Sequence, residues 1–319
     1  MKSNFLTKDE YLADKEVQLF IAWLREVVQG TRSIDFQYNA KPEKKWSLLS
    51  DVLPCYSWPY ATNNGPKQAK HDWTFPEDAL FKLDANSSLE ENNEVLKRLQ
   101  NGLRRAFDDA KADLAPWIAS IFSWGGVYTG TKLGGGNKGW LQGLTETRLR
   151  AILTKTKAAL LLNDDALGPI IPDLRFNSGL TKVYSLLLND FIIYDSRVAA
   201  ALAWLVLLWQ RSVNPNRPIQ PGLAFQCMNA KEYKSKVNPK PPKLRNPDWC
   251  QFSYLSTDPY AHAKWNLRAN WILRAVWPHD VASKDGATKT AFYSLRDIEA
   301  ALFTMGYDLQ HEVNRHATP

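Results

Sequence analysis

Apolar residues recur at helical spacing over much of the chain, and the breaks between these runs divide it into elements. From Thr7 to Gln29, Tyr11, Leu12, Val17, Phe20, Ile21, Leu24 and Val27 follow that spacing, and Gly30 comes next as a stop. The pattern predicts one helix there. Residues 33–69 instead alternate aromatic and polar side chains and carry Pro42, Pro54, Pro59, Asn63-Asn64-Gly65 and Pro66. This reads as an irregular stretch with room for a short strand and a loop-built site. Helical spacing returns over Ser88–Ala115 through Val95, Leu96, Leu99, Leu103 and Phe107, and Pro116 then starts a helix bearing Trp117, Ile118 and Ile121.

Gly125, Gly126, Gly130 and Gly134 to Gly136 punctuate the next segment, and Thr145 opens a helix with Leu149, Ile152 and Leu153. The glycines lack the Gly-Lys-Ser/Thr ending of a phosphate-binding P-loop, so the segment reads as a surface hinge or a DNA-contacting loop. Val198–Trp209 is the longest apolar run, about half of what a bilayer-spanning helix needs, and predicts the buried central helix of a domain. Residues 231–245 place six Lys and Arg among three prolines as a solvated basic loop, either a mobile insertion or a phosphate contact. A helix with Trp265, Ala269, Ile272 and Val276 on one face follows over His262–Val276, and Ser294 opens a last helix toward Gly306. No internal repeat is visible, and the expected domain boundary lies near 163–172, dividing lobes 1–165 and 166–319 that interleave.

Composition adds little to this picture. A hydrophobic share of 45% suffices for a buried core, and 40 Lys and Arg against 33 Asp and Glu tilt the chain weakly toward a polyanionic partner. Cys55, Cys227 and Cys250 are too few and too scattered for a zinc or iron–sulfur site, so no metal and no cofactor is expected, and free thiols suit a cytoplasmic location. The N-terminus breaks into charge before a signal peptide's apolar core can form, and no membrane association is expected. Thirteen tryptophans stand out more than the charge. Most fill cores, while exposed ones would offer stacking platforms for bases.

The segment from Leu174 to Leu202 carries the chemistry. Asn177-Ser178-Gly179 makes a tight turn, after which Val183, Leu186 and Leu187 share a helical face, so Lys182 falls in the first turn of that helix. The positive end of a helix dipole and partial burial both disfavour an ammonium, which favours the neutral amine that a Schiff-base nucleophile requires. Thirteen residues later, Asp195-Ser-Arg-Val reads as an N-cap ahead of the apolar helix. A carboxylate there supplies a lasting negative charge that can stabilise an oxocarbenium-like transition state and help orient or deprotonate the amine.

Gly179-Leu-Thr-Lys182-Val followed by Tyr194-Asp195-Ser-Arg-Val resembles the signature of the helix-hairpin-helix DNA glycosylases, closest to the 8-oxoguanine DNA glycosylase branch. The resemblance covers about thirty residues. One glycine stands where the family often has two, and the Lys-to-Asp spacing is shorter than usual. It implies a mostly α, two-lobed helix-hairpin-helix glycosylase-like fold with irregular loops. It also implies that Lys182 attacks C1′ of a flipped nucleotide with support from Asp195, and that the turn of Asn177, Ser178, Gly179 and Thr181 holds a DNA phosphate.

Such an enzyme must sandwich the flipped base. Trp58, Tyr60, Trp124, Trp265 and Trp271 are the aromatic candidates, Arg197 can reach a phosphate or a carboxylate, and His262 and His279 lack metal-ligand spacing. The expected partner is double-stranded DNA with a modified base, oxidised guanine by resemblance or a hypermodified phage base in a defence setting, acted on by a monomer. Three alternatives stand beside this: a monofunctional glycosylase in which Asp195 activates water, a non-catalytic DNA-binding or phage-defence protein, and RNA binding through the tryptophans.

Overall fold

A computed structural model describes residues 5–37, 45–58, 62–64, 73–84, 87–128, 130, 136–167, 171, 173–227, 252, 258–277, 292, 294–306 and 309. The protein is mostly helical, and its only strands among these residues are two-residue and three-residue pairs. The chain divides into two compact units, one built from residues 1–56 and 194–319, the other from residues 57–193. Residues 163–172 therefore lie inside the second unit. The basic segment 231–245, Tyr60, His279 and Cys250 lie outside the described residues.

In the first unit the single helix expected over Thr7–Gln29 is two, α1 (Lys8–Ala13) and α2 (Lys15–Val28). The break falls at Asp14, whose backbone is extended and whose carboxylate accepts the amides of Glu16 and Val17. Asp is a strong N-cap and a poor helix interior residue, so local capping outweighs the continuous apolar spacing. Strands β1 (Phe36–Gln37) and β2 (Lys45–Trp46) pair antiparallel with Phe36 opposite Trp46, and a 3-10 helix covers Leu49–Cys55.

Helix α8 (Ser196–Val213) is the centre of this unit. Val198 through Leu207, together with Trp209 and Gln210, are buried, so the helix is covered on every side. Each valine or leucine among them contributes about 1.5–3 kcal/mol on burial, which makes an all-round apolar helix the natural hub of a core. Helix α9 (Pro259–Val276) packs on α1 and α2, and α10 (Leu295–Met305) packs on α8 and on the 3-10 helix. Ser294 opens α10 with a capping box, and Gly306 closes it where a Cβ would lie 2.0 Å from the Arg197 carbonyl oxygen.

The second unit holds β3 (Thr62–Asn64) paired with β4 (Lys82–Asp84), and helices α3 (Leu89–Asp108), α4 (Ala115–Trp124), α5 (Gly136–Gln142), α6 (Glu146–Leu161) and α7 (Leu180–Leu187). Helix α5 lies partly in the segment expected to be a flexible glycine loop. Two arginines tie this unit by closing helix ends. Arg104 of α3 donates to the carbonyls of Leu186 and Leu188 and to Asn189 at the end of α7. Arg150 of α6 donates to the carbonyls of Ala106, Phe107 and Ala112 around the end of α3. A cation there satisfies orphan carbonyls and meets the negative end of the dipole.

Helices α3 and α4 meet at Gly102, where a Cβ would lie 2.1 Å from two ring carbons of Trp117. Alanine at this helix-interior position gains up to about 1 kcal/mol in propensity, while overpacking a core costs about 1–3 kcal/mol. Gly102→Ala is expected to lower stability by about 1 kcal/mol or more net, read as a lower urea midpoint; an unchanged or raised midpoint would show that the indole retreats freely.

Candidate functional site

Helix α4 ends in a Schellman motif. Gly126 takes the left-handed conformation, φ 63°, its amide donates to the Ser123 carbonyl at 3.0 Å, and the Val127 amide donates to the Phe122 carbonyl at 2.9 Å. Glycine at 126 is what this turn requires. The glycines at 125 and 126 are thus a helix stop, not the hinge or DNA-contacting loop expected from sequence. Residues 129 and 131–135 lie outside the described residues.

Against this stop packs the first turn of α7. Asn177 starts the turn: its side-chain oxygen accepts the amides of Gly179 at 2.8 Å and Leu180 at 3.0 Å, and its carbonyl accepts the Thr181 amide at 2.9 Å. Its side-chain nitrogen donates to Asn137 Oδ1 at 2.9 Å, and Asn137 Nδ2 donates to the Val127 carbonyl at 3.1 Å. A Cβ on Gly179 would lie 2.3 Å from Asn137 Nδ2, so glycine is needed there for close approach. Lys182 sits at the third helical position of α7, only 3% exposed, and its Nζ donates to the Ser178 carbonyl at 2.9 Å. Its stem runs over Gly125, where a Cβ would stand 2.5 Å from Cδ and 2.8 Å from Cε.

Asp195 belongs to the other unit, as the N-cap of α8. It is 8% exposed, and Oδ1 accepts the amides of Arg197 at 3.0 Å and Val198 at 3.2 Å. Tyr56, Arg197, Arg296 and Phe303 gather in the same unit. The Arg197 guanidinium lies 4.5 Å from the centre of the Phe303 ring, whose neighbour is Tyr56 at 5.9 Å. Arg296 pairs with Glu299 and reaches the Tyr56 hydroxyl at 3.4 Å. Burial pushes the Tyr56 phenol above its ordinary value, Arg296 opposes that, Asp195 adds to it and Arg197 opposes it, so these charges all act on one hydroxyl. His262 is buried and bonds the Tyr194 carbonyl through Nε2 at 2.8 Å.

Several expected contact residues lie elsewhere than sequence suggests. Thr181 is fully buried, so its side chain faces the core of its unit and not a DNA backbone. The Gly179 amide is committed to Asn177, and a phosphate would meet it only in exchange for that carboxamide. Trp58 and Trp124 stack on each other with centroids 5.1 Å apart and planes within 5°, and Trp58 Nε1 donates to the Trp124 carbonyl while Trp124 Nε1 donates to Asn92. In the other unit, Trp265 packs on Phe225 and Trp271 on Tyr11. All four are 7% exposed or less. All four therefore pack as core side chains, with the ring N–H of Trp58 and of Trp124 satisfied inside the unit.

Sequence reasoning missed Asn137, Tyr56 and Arg296. Asn137 follows a glycine run whose local pattern carries no signal of a partner forty residues on, and Tyr56 and Arg296 come together only through α10. Among the described residues no group of three or more His, Cys, Asp or Glu could hold a metal ion, and no helix is long and apolar enough to cross a membrane. No family model, no curated protein and no solved structure matches the chain.

Replacing Asp195 separates its cap from its charge. Asn caps as well as Asp, whereas Ala leaves the amides of Arg197 and Val198 without their acceptor, at a cost of about 0.5–2 kcal/mol. Asp195→Ala is expected to lose about 1 kcal/mol in urea denaturation and Asp195→Asn only a few tenths. An equal loss for both would show that the charge itself, rather than the cap, stabilises the unit.

Proposed function

We propose that this protein is a DNA N-glycosylase that flips a modified base out of duplex DNA and breaks its N-glycosidic bond, with Lys182 as nucleophile and Asp195 as the supporting carboxylate. The observation that carries this reading is the placement of Lys182: a residue only 3% exposed, in the first turn of a helix, with its amine donating to the Ser178 carbonyl. Burial and the positive end of a helix dipole are in general the surroundings that disfavour an ammonium, which is what an amine nucleophile requires. Supporting it is the resemblance of the Gly179–Lys182 and Asp195 segments to the helix-hairpin-helix glycosylases.

In this mechanism the Lys182 amine attacks C1′ as the bond from C1′ to the base breaks, and the base leaves with the bonding electrons and takes up a proton. Opening of the sugar ring then yields a protonated imine joining Lys182 to C1′. The Asp195 carboxylate stabilises positive charge developing at C1′ in the transition state. Loss of a C2′ proton from the imine expels the 3′ phosphate, which is abasic-site lyase activity. Oxidised guanine is the base the resemblance favours, and a hypermodified phage base is the substrate of a defence role.

The test pairs abasic-site detection on a panel of duplexes, carrying oxidised, otherwise damaged or hypermodified bases, with borohydride trapping. Wild type is expected to release one of these bases and form a trapped adduct, and Lys182→Gln to form none. Base release without an adduct would assign the chemistry to water activated by Asp195. No release from any duplex, with equal DNA affinity for wild type and Asp195→Asn, would leave a non-catalytic DNA-binding protein.

A further inference from the structure

We propose that Gly125 and Asn137 are positioning residues for the Lys182 amine, so that the glycine stop of α4 is the seat of the nucleophile's side chain. This inference rests on the reading of Lys182 as the attacking amine.

Gly125 is not required by its own backbone. Its backbone lies at φ −72° and ψ −2°, a conformation open to every residue, and the left-handed position of the stop belongs to Gly126. Backbone geometry therefore leaves glycine at 125 unexplained. Space explains it: a Cβ there would collide with Cδ and Cε of Lys182 at 2.5 and 2.8 Å, while the next nearest atom, Cγ2 of Val127, lies at 3.3 Å. The missing side chain leaves a channel along which the lysine stem lies flat, delivering Nζ to the Ser178 carbonyl at 2.9 Å.

Asn137 sets the other wall. One carboxamide joins the Val127 carbonyl, two residues past Gly125, to Asn177, the residue that caps the turn carrying Gly179 and Ser178. The stop under the lysine stem and the loop that receives its amine are thereby locked to one another. A buried carboxamide donating on one side and accepting on the other transmits position, because either bond is costly to leave unmade.

A methyl group at 125 meets the far end of a flexible side chain rather than backbone, so the stem moves and the helices stay. The expected result is a folded protein whose amine is misplaced by about an ångström, and such a displacement of a reacting group costs on the order of a hundredfold in rate.

The full-length wild type, Gly125→Ala, Asn137→Ala and Lys182→Gln are compared on a duplex bearing a preformed abasic site. The adduct-forming rate constant under borohydride is read at saturating protein. Affinity is measured on the same duplex with a tetrahydrofuran in place of the abasic sugar, and melting curves monitor folding. Gly125→Ala and Asn137→Ala are each expected to slow adduct formation on the order of tenfold to a hundredfold with affinity unchanged and the protein folded at the assay temperature, Asn137→Ala melting lower for the two hydrogen bonds it loses. Adduct formation at the wild-type rate in both variants would overturn the inference, as would a loss that follows lost affinity or lost folding. If Gly125→Ala alone fails to fold, Asn137→Ala decides by the same criteria. Wild type forming no more adduct than Lys182→Gln would refute the amine reading itself and this inference with it, a result distinct from a normal wild type with normal variants.

Discussion

The contact between the stop of α4 and the first turn of α7 is the constraint on which the unit of residues 57–193 depends. A left-handed glycine ends α4, and its neighbour's missing side chain admits the stem of Lys182. Asn137 and Asn177 bind the two turns together with each buried amide partner satisfied. Helix α7 is short, eight residues, and isolated helices of that length are unstable in water. It persists because Asn177 caps its beginning, Arg104 closes its end, and nearly all of its side chains are buried. The lysine is thus held by an element whose two ends are both tied by hydrogen bonds.

The other unit is organised by hydrophobic burial around α8, and its polar features sit at that helix's start. Asp195 opens α8 and satisfies two amides, and the arginines near it lie on aromatic faces: Arg197 over Phe303, and Arg296 beside Tyr56. Guanidinium groups tolerate such partial burial because they are weakly hydrated and planar. The two groups of the proposed chemistry therefore draw on different physics. The Lys182 stem is seated by packing against a helix stop, and Asp195 is placed by capping the free amides of α8.

Much of the helical skeleton was legible from spacing and caps. Thr145, Asp195 and Ser294 mark the starts of α6, α8 and α10 because their side chains accept amides within three residues, an interaction wholly local in sequence. The same locality misled at Asp14, where continuous apolar spacing concealed a cap that divides α1 from α2. Tryptophans were harder to read. A ring suited to stacking on a base is equally suited to stacking on Trp124, and composition does not distinguish the two; burial does.

Sequence by itself determined that the chain is mostly helical, that Lys182 lies in the first turn of one helix and that Asp195 caps the next, since helix periodicity and capping act over a few residues. Only the tertiary structure decided that Gly125 makes room for the lysine, that Asn137 locks the turn beneath it, that Thr181 and the four tryptophans face inward, and that Tyr56 shares its surroundings with Arg296. Each of these depends on contacts between segments far apart in sequence. Their free energy comes from packing and from satisfying buried polar groups, and neither leaves a local pattern in the chain.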